Sequence, residues 1–120
     1  NNDYTQFSLN HGDVEIMTCI FEKQKKGPKT AKVIWKENPE NQIVFVSKKP
    51  EENDKIFVLD FNGRYAEPST KNCILVREDN NELAAMYRCF NEWEMDVDAT
   101  PGLPDLMLFG VLLCYDVCPF

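Results

Sequence analysis

Five cysteines are the side chains of this 120-residue chain most capable of covalent or metal chemistry. The only histidine is His11 and no Cys-x-x-Cys pair occurs, so the spacing does not suit a zinc site. The thiols are either small buried hydrophobes of a reduced cytosolic protein or disulfides of a secreted one. Their density favours disulfides and secretion, and the odd number leaves one thiol over. The cysteines are Cys19, Cys73, Cys89, Cys114 and Cys118.

Catalytic constellations are not apparent. The sequence has no Gly-x-Ser-x-Gly, no His-Glu-x-x-His and no glycine-rich phosphate loop. Carboxylates cluster at 51–54 and 78–79, in predicted turns where a solvated surface is the usual explanation. Glu92 and Glu94 flank Trp93 but would fall on the opposite strand face, whereas a hydrolytic acid pair must project into one cleft. We therefore expect a protein that is not an enzyme and needs no cofactor.

The charge balance narrows the class of partner. Lys and Arg number 13 against 20 Asp and Glu, a formal charge of −7, which repels phosphate backbones and makes nucleic acid an unfavourable partner. The lysines at 25–29 are interpreted as a solvated hairpin tip rather than an anion site. The longest apolar run, Leu106 to Leu113, is too short to span a bilayer, so no membrane partner is expected.

The elements that must position any site are mostly strands. Turn-rich breaks separate six predicted strands, and this succession indicates an antiparallel meander curled into a barrel or sandwich. Residues 1–12 are expected to be a loop or a frayed lead-in. Pro104-Asp105 is a helix-start signal, and the apolar segment after it is either a short helix against the barrel or a last buried strand. The predicted strands lie within 13–23, 31–37, 42–48, 55–61, 72–78 and 83–95.

The strand predicted over 83–95 suggests where a ligand would bind. Its odd positions are largely apolar and its even positions mostly charged, so alternation sends them to opposite faces. Asn91 is the best single pocket candidate, because an unpaired amide on an apolar face would cost about 1–3 kcal/mol. Aromatic residues on an apolar strand face, as predicted for Trp35, Phe61, Tyr87 and Trp93, are more often plain core than pocket lining. The predicted ligand-binding residues are Trp35, Phe61, Tyr87, Asn91 and Trp93.

The order of these features resembles the secreted lipocalins of tick saliva, a family with histamine-binding and complement-inhibiting members. The resemblance rests on Thr18-Cys19-Ile20, on Asn72-Cys73-Ile74-Leu75-Val76, on Asn91-Glu92-Trp93-Glu94-Met95-Asp96 and on the terminal Cys114-x-x-x-Cys118. It covers roughly residues 13 to 118. It implies an all-β, antiparallel, lipocalin-like barrel with a short C-terminal helix, in one domain over 1–120.

The resemblance also implies two nested crosslinks, Cys19 to Cys118 and Cys73 to Cys114, with Cys89 outside them. Two departures stand out. A full lipocalin barrel needs more chain, and nothing upstream of Asp13 matches its first helix and strand. The acidic residue of amine-binding members, two before the tryptophan, is here Asn91.

The leading functional expectation is a secreted, non-enzymatic protein that sequesters a small hydrophobic or amphipathic host mediator, a lipid or an amine, in a barrel cavity. A bulge at Gly63 that turned Arg64 inward would suit an acidic lipid. The alternative is an antagonist of a host immune or haemostatic protein, whose acidic loops around Glu51 to Asp54 and Glu78 to Asn81 would meet a basic patch. Native mass spectrometry with amines and fatty acids, and pull-down from plasma, would separate the two.

Overall fold

A computed structural model describes residues 3–120. The elements are β1 Tyr4–His11, β2 Val14–Glu22, β3 Thr30–Asn38, β4 Asn41–Ser47, β5 Glu51–Asn53, β6 Ile56–Val58, β7 Cys73–Arg77, β8 Leu83–Asn91, β9 Glu94–Ala99 and α1 Asp105–Val117. Seven strands form one antiparallel sheet in the order β1-β2-β3-β4-β7-β8-β9, and β5 pairs only with β6. The sheet curls into a half-barrel followed by one short C-terminal helix.

Strand register explains where the core sits. Directly paired residues of antiparallel strands point to the same face, so the buried row Cys19–Val33–Phe45 crosses three strands without interruption. Parallel to it, Met17 faces Trp35. The predicted antiparallel all-β sheet with a C-terminal helix is confirmed. A closed barrel is not, because the edge strands β1 and β9 do not pair with each other in residues 3–120.

Helix α1 closes the main core. Pro104 precedes its first turn and Asp105 lies in that turn, where a carboxylate complements the helix dipole. One face buries Met107, Val111 and Tyr115 in the main core cluster, alongside residues of the sheet. The other face leaves apolar side chains about half exposed: Leu106, Phe109, Leu113 and Val117. No helix within residues 3–120 is long and apolar enough to cross a bilayer.

Strand β1 corrects the expectation of a loop at the N-terminus. Phe7 and Leu9 are half-buried and lie opposite Cys19 and Met17 of β2. Their two-residue spacing is the signal of a half-buried strand, but this one pair of apolar residues is all that carries it.

The strand predicted over 83–95 is in fact a hairpin. It turns at Glu92-Trp93 between β8 and β9, and the Asn91 Oδ1 accepts a hydrogen bond from the Trp93 backbone N–H at 2.8 Å. This Asx-type bond stabilises the turn locally. Alternation therefore ends at Asn91, and β9 runs to Ala99, through residues expected to be loop.

The strand predicted over 55–61 is shorter than expected. Only Ile56–Val58 pairs, with β5, across a tight turn in which Asp54 and Lys55 have φ of 48° and 69°. Two successive positive φ values match a hairpin turn whose twist suits the flanking strands. Phe61 lies beyond β6 and packs with Ile74 in a second, smaller core cluster.

Candidate functional site

The five predicted ligand-binding residues do not meet in one cavity. Trp35 and Tyr87 are 7% and 1% exposed and belong to the main core, where the Tyr87 hydroxyl donates to the Leu108 carbonyl of α1 at 2.9 Å. Phe61 belongs to the second cluster. Asn91 and Trp93 lie at the β8–β9 turn, where Trp93 is 85% exposed. For Asn91 and Trp93 the physical reason is that hairpin turn, which ends the alternation assumed for residues 83–95. The other three candidates fill core space.

Asn91 and Trp93 do share a surface groove with the C-terminal half of α1, of about 520 Å³. The Asn91 amide is already engaged there, since its Nδ2 donates to Glu94 Oε1 at 3.2 Å while its Oδ1 holds the turn. The groove's lysine, Lys71, is ion-paired with Asp116. The Asn91 and Lys71 side chains are thus already paired within the groove, with Glu94 and Asp116 respectively.

The thiols form neither of the expected crosslinks. All five cysteines, each within the described residues, are free. Cys19, Cys73 and Cys114 are buried in the main core cluster, together with Tyr115. The predicted pairings Cys19–Cys118 and Cys73–Cys114 are therefore wrong: Cys19, Cys73 and Cys114 pack in the core as small apolar side chains.

The thiol environment is reflected in the pKa values. Burial raises the pKa of Cys73 to about 12. The hydrogen bond to Cys114, with burial, raises the pKa of Cys19 far above its usual range. The same hydrogen bond lowers the pKa of Cys114, which accepts it.

The inward Arg64 that a bulge at Gly63 would have produced is not observed. Its side chain is 56% exposed and its Nε lies 3.4 Å from Asp98 Oδ2. Arg88 is the arginine that is buried, although it is one of the even positions of 83–95 that alternation predicts on the charged face. It donates to the Tyr65 carbonyl at 2.7 Å and to Asp98 at 3.1 Å.

A second concavity, which we call the lysine pocket, has a different character. It measures about 280 Å³, near the lower end of small-ligand sites. The chain reaches it from the β2–β3 turn, the end of β4, β6, the start of β7 and the last turns of α1. Its lining residues are Gln24, Lys26, Pro28, Lys29, Thr30, Ser47, Lys48, Lys49, Pro50, Phe57, Leu59, Thr70, Asn72, Cys73 and Tyr115.

Gly27 fixes one wall of the lysine pocket. Its φ is +82°, a conformation that L side chains rarely adopt, and a Cβ there would lie 2.7 Å from the Phe57 ring. The β2–β3 turn can therefore approach the β5–β6 hairpin closely only because this residue lacks a side chain. Phe57 and Lys26, which flank this close approach, both line the pocket.

Lys29 is the most constrained of the four lysines. Its Nζ donates to the Thr70 carbonyl at 2.8 Å and lies 5.1 Å from the centre of the Tyr115 ring. A cation over an aromatic face is attracted by the ring quadrupole. Partial burial lowers the pKa of Lys29, partly opposed by the nearby thiols of Cys118 and Cys73. These contacts fix a charged group at the pocket wall.

The other three lysines are exposed at the rim. In the described part of the chain, none of Lys26, Lys48 and Lys49 forms an ion pair, unlike Lys32 and Lys36 of β3. Hydroxyl groups lie among them, including that of Ser47, which accepts the Ala31 N–H at 2.9 Å. The pocket can therefore supply positive charge and hydrogen-bond donors to an anion.

Sequence reasoning singles out half of this concavity, the lysines at 25–29, and interprets them as a solvated hairpin tip. It leaves Lys48 and Lys49 at the end of a predicted strand. The missing signal is the β3–β4 register, in which Lys32 faces Val46, so the start of β3 lies beside the end of β4. Tracing that hairpin by two more residues would have brought the two lysine groups together.

Comparison with models of protein families shows which family this chain belongs to. The model of the Tub family matches residues 5–97, well over half of the chain. The chain belongs to the Tub family. The resemblance to tick salivary lipocalins is therefore wrong: a short all-β chain with scattered cysteines satisfied its loose motifs, although the Tub domain is a different β-barrel family. No curated protein matches this Tub family chain.

Proposed function

We propose that this protein binds a phosphorylated anion of the inositol-phosphate headgroup class in the lysine pocket. The observation that carries the proposal is the convergence of Lys26, Lys29, Lys48 and Lys49 on one concavity of a chain whose formal charge is −7. Such a local reversal of sign focuses an anion onto the pocket although the rest of the surface repels it.

The chemistry of the lining suits phosphate. Lysine ammonium groups are strongly hydrated point charges that bind phosphate oxygens, and hydrogen bonds to charged groups contribute about 1.5–3 kcal/mol. Lys29 is held in place by Thr70 and Tyr115, so little side-chain entropy remains to be lost on binding. The apolar wall of Phe57 and Leu59 would pack against a ring carrying the phosphates.

Family membership supports the same ligand class. The Tub family suggests a tubby-like role in phosphoinositide or DNA binding. Of these two, DNA needs an extended basic surface that neutralises several phosphates, whereas the lysines that converge here surround a concavity of about 280 Å³. A single headgroup fits that volume better than a duplex.

This proposal retains the expected small-ligand binding but moves it from the barrel interior to the rim, and replaces an amine or fatty acid with a phosphorylated headgroup. It also replaces the expectation of no membrane partner, which concerned spanning a bilayer rather than binding its surface. Secretion, the absence of enzymatic activity and a role of the acidic loops in protein binding stay predictions.

Calorimetric titration with inositol 1,4,5-trisphosphate, and with inorganic phosphate, tests the pocket. We expect saturable binding of the trisphosphate and weakening of about tenfold or more in Lys29→Met and Lys26→Met, since one charged contact is lost in each. Lys25→Met is the matched control, because Lys25 lies in the same turn outside the pocket. Equal weakening by Lys25→Met, or no saturable binding, would refute the proposal.

Vesicle sedimentation distinguishes the source of the headgroup. Phosphatidylcholine vesicles containing a phosphoinositide are compared with phosphatidylserine vesicles of the same surface charge. Preferential sedimentation with the phosphoinositide indicates a membrane lipid, whereas binding of the soluble trisphosphate alone indicates a free inositol phosphate. A DNA duplex bound at physiological salt more tightly than either would contradict the assignment.

A further inference from the structure

The loop over residues 67–72 borders the lysine pocket and is bonded to strand β8. Both of its ends are fastened to Cys89: the Glu67 N–H donates to the Cys89 carbonyl at 2.7 Å, and the Asn72 Oδ1 accepts the Cys89 N–H at 2.6 Å. The Asn72 Nδ2 also donates to the Glu67 carbonyl at 2.7 Å, which joins the two ends to each other. The Asn72 side chain therefore closes the loop.

The interior of the loop is bonded as well. The Ser69 carbonyl accepts the Asn72 N–H at 3.3 Å, and the Ser69 Oγ accepts the Lys71 N–H at 3.1 Å. The Lys71 ammonium forms an ion pair with Asp116 of α1. Thr70 lies between these bonded residues, so the loop fixes the direction of its carbonyl.

Thr70 links this loop to the pocket. Its carbonyl accepts a hydrogen bond from the Lys29 Nζ at 2.8 Å, and the centre of the Tyr115 ring lies 5.1 Å from the same ammonium. Within residues 3–120, no hydrogen bond or ion pair holds the ammonium groups of the other three pocket lysines, Lys26, Lys48 and Lys49. One pocket lysine of the four is thus fixed in position.

We propose that Lys29 is the specificity-determining contact of the lysine pocket and that Asn72 is the residue that positions it. A lysine ammonium carries three N–H donors, and the Thr70 carbonyl takes one of them, which leaves two for a ligand at a fixed place on the wall. A fixed donor favours a ligand whose phosphate lies opposite it, whereas lysines on flexible stems can follow a phosphate to several positions. The pocket should therefore distinguish positional isomers of an inositol phosphate.

Charge and position are thereby supplied by different lysines. The three rim lysines attract any compact anion, so removing one of them should weaken the binding of both isomers alike. Loss of Lys29, or of the loop that fixes it, should weaken the binding of the preferred isomer more than that of the other. This role rests on the proposed function, because it concerns the same pocket, but it fails separately if the isomers bind equally.

Calorimetric titration with inositol 1,4,5-trisphosphate and with inositol 1,3,4-trisphosphate tests this role. The two compounds carry the same number of phosphates, so the ratio of their dissociation constants reports on phosphate position. We expect the wild-type protein to bind one of them about tenfold more tightly, the effect of one charged hydrogen bond. Lys29→Met should bring the ratio close to unity, whereas Lys26→Met should weaken both and leave the ratio unchanged.

Asn72→Ala tests the positioning step. It removes both side-chain bonds that close the loop and keeps all four lysines, so the ratio should fall towards unity while binding persists. Asn38→Ala is the matched control, because the Asn38 side chain accepts the Glu40 N–H in the β3–β4 turn, at the opposite end of those strands from the pocket. If Asn72→Ala does not fold, Asn72→Asp, which keeps the acceptor for the Cys89 N–H, should lower the ratio in the same titration.

Equal binding of the two isomers by the wild-type protein would overturn this role and leave the proposed function standing. A ratio that survives Lys29→Met or the folded Asn72 variant, or one that Asn38→Ala lowers as much, would overturn it too. Binding of neither isomer would refute the proposed function and this role with it.

Discussion

Gly110 sets how closely α1 approaches the sheet. An ideal Cβ at this helical position would lie 2.8 Å from the Met17 Cε and 3.3 Å from the Leu9 Cδ2. The neighbour at 2.8 Å is the end of a flexible methionine, which can turn aside, whereas the Leu9 methyl has to yield by a few tenths of an ångström. The position therefore tolerates a methyl group but not a branched side chain.

A substitution at Gly110 gains helix propensity and loses free energy through overpacking, and the two contributions can be compared. Gly110→Ala gains about 1 kcal/mol of helix propensity and loses about 1 kcal/mol, the low end of the overpacking range, because Met17 can move. We expect its free energy of unfolding to remain within about 1 kcal/mol of wild type. Gly110→Val adds two further methyl groups against the same neighbours and should lose about 3 kcal/mol, the upper end of that range.

Urea unfolding followed by circular dichroism measures both effects. The matched control is Leu113→Val, which introduces the same β-branch on the exposed face of α1 and should cost under about 1 kcal/mol. Met17→Ala, in a fully buried site, should cost about 2–5 kcal/mol. In the Met17→Ala background, Gly110→Ala should raise the free energy of unfolding by about 1 kcal/mol, because the new methyl group enters the space that Met17 has vacated.

Two results would refute this reasoning. One is a Gly110→Val cost no larger than that of Leu113→Val. The other is strict additivity of Met17→Ala and Gly110→Ala, which would mean that the two side chains do not share space. Either result would place α1 farther from β2 than the structure does.

Three further predictions concern buried polar groups. Tyr87→Phe removes the bond to the Leu108 carbonyl and should lower the free energy of unfolding by about 1 kcal/mol in urea titrations. Arg88→Met leaves the Tyr65 carbonyl without its charged donor and should cost about 2 kcal/mol by the same measurement; an unchanged midpoint would show that the interaction contributes nothing. Stability should fall as pH rises from 9 towards 12, by about 1.4 kcal/mol per unit for Cys73, because the unfolded thiol ionises near 9.0 while the buried one keeps its proton to about 12. Cys73→Val should reduce that slope in pH-dependent unfolding, and an unchanged slope would contradict the assignment.

Local patterns were enough to predict the central strands. β2, β3, β4 and β7 are rich in β-branched and aromatic residues and are bounded by turn residues, so each is specified within its own segment. The β8–β9 turn was missed because apolar and acidic residues keep alternating across Asn91-Glu92-Trp93-Glu94, and the pattern alone gives no sign that the chain reverses. The clue in the sequence was Asn91 itself, because asparagine favours turns in which its side chain bonds the backbone two residues on.

The candidate site was harder to predict because no single segment contains it. Lys26 and Lys29 belong to one turn, Lys48 and Lys49 follow another strand, and Tyr115 comes from the helix. Each group by itself resembles an ordinary solvated surface. Only tertiary register brings them together, and register is what sequence periodicity specifies least.

The position of α1 also explains why a ligand is better placed at the rim than in the interior. An interior ligand would have to displace the helix face that buries Met107, Val111, Cys114 and Tyr115. At about 2 kcal/mol for each large apolar side chain, exposing that face costs roughly 6–8 kcal/mol, comparable with the whole stability of a domain. A small ligand would spend nearly all of its binding free energy on this step. The lysine pocket needs no such displacement, because Tyr115 already forms its wall with the helix in place.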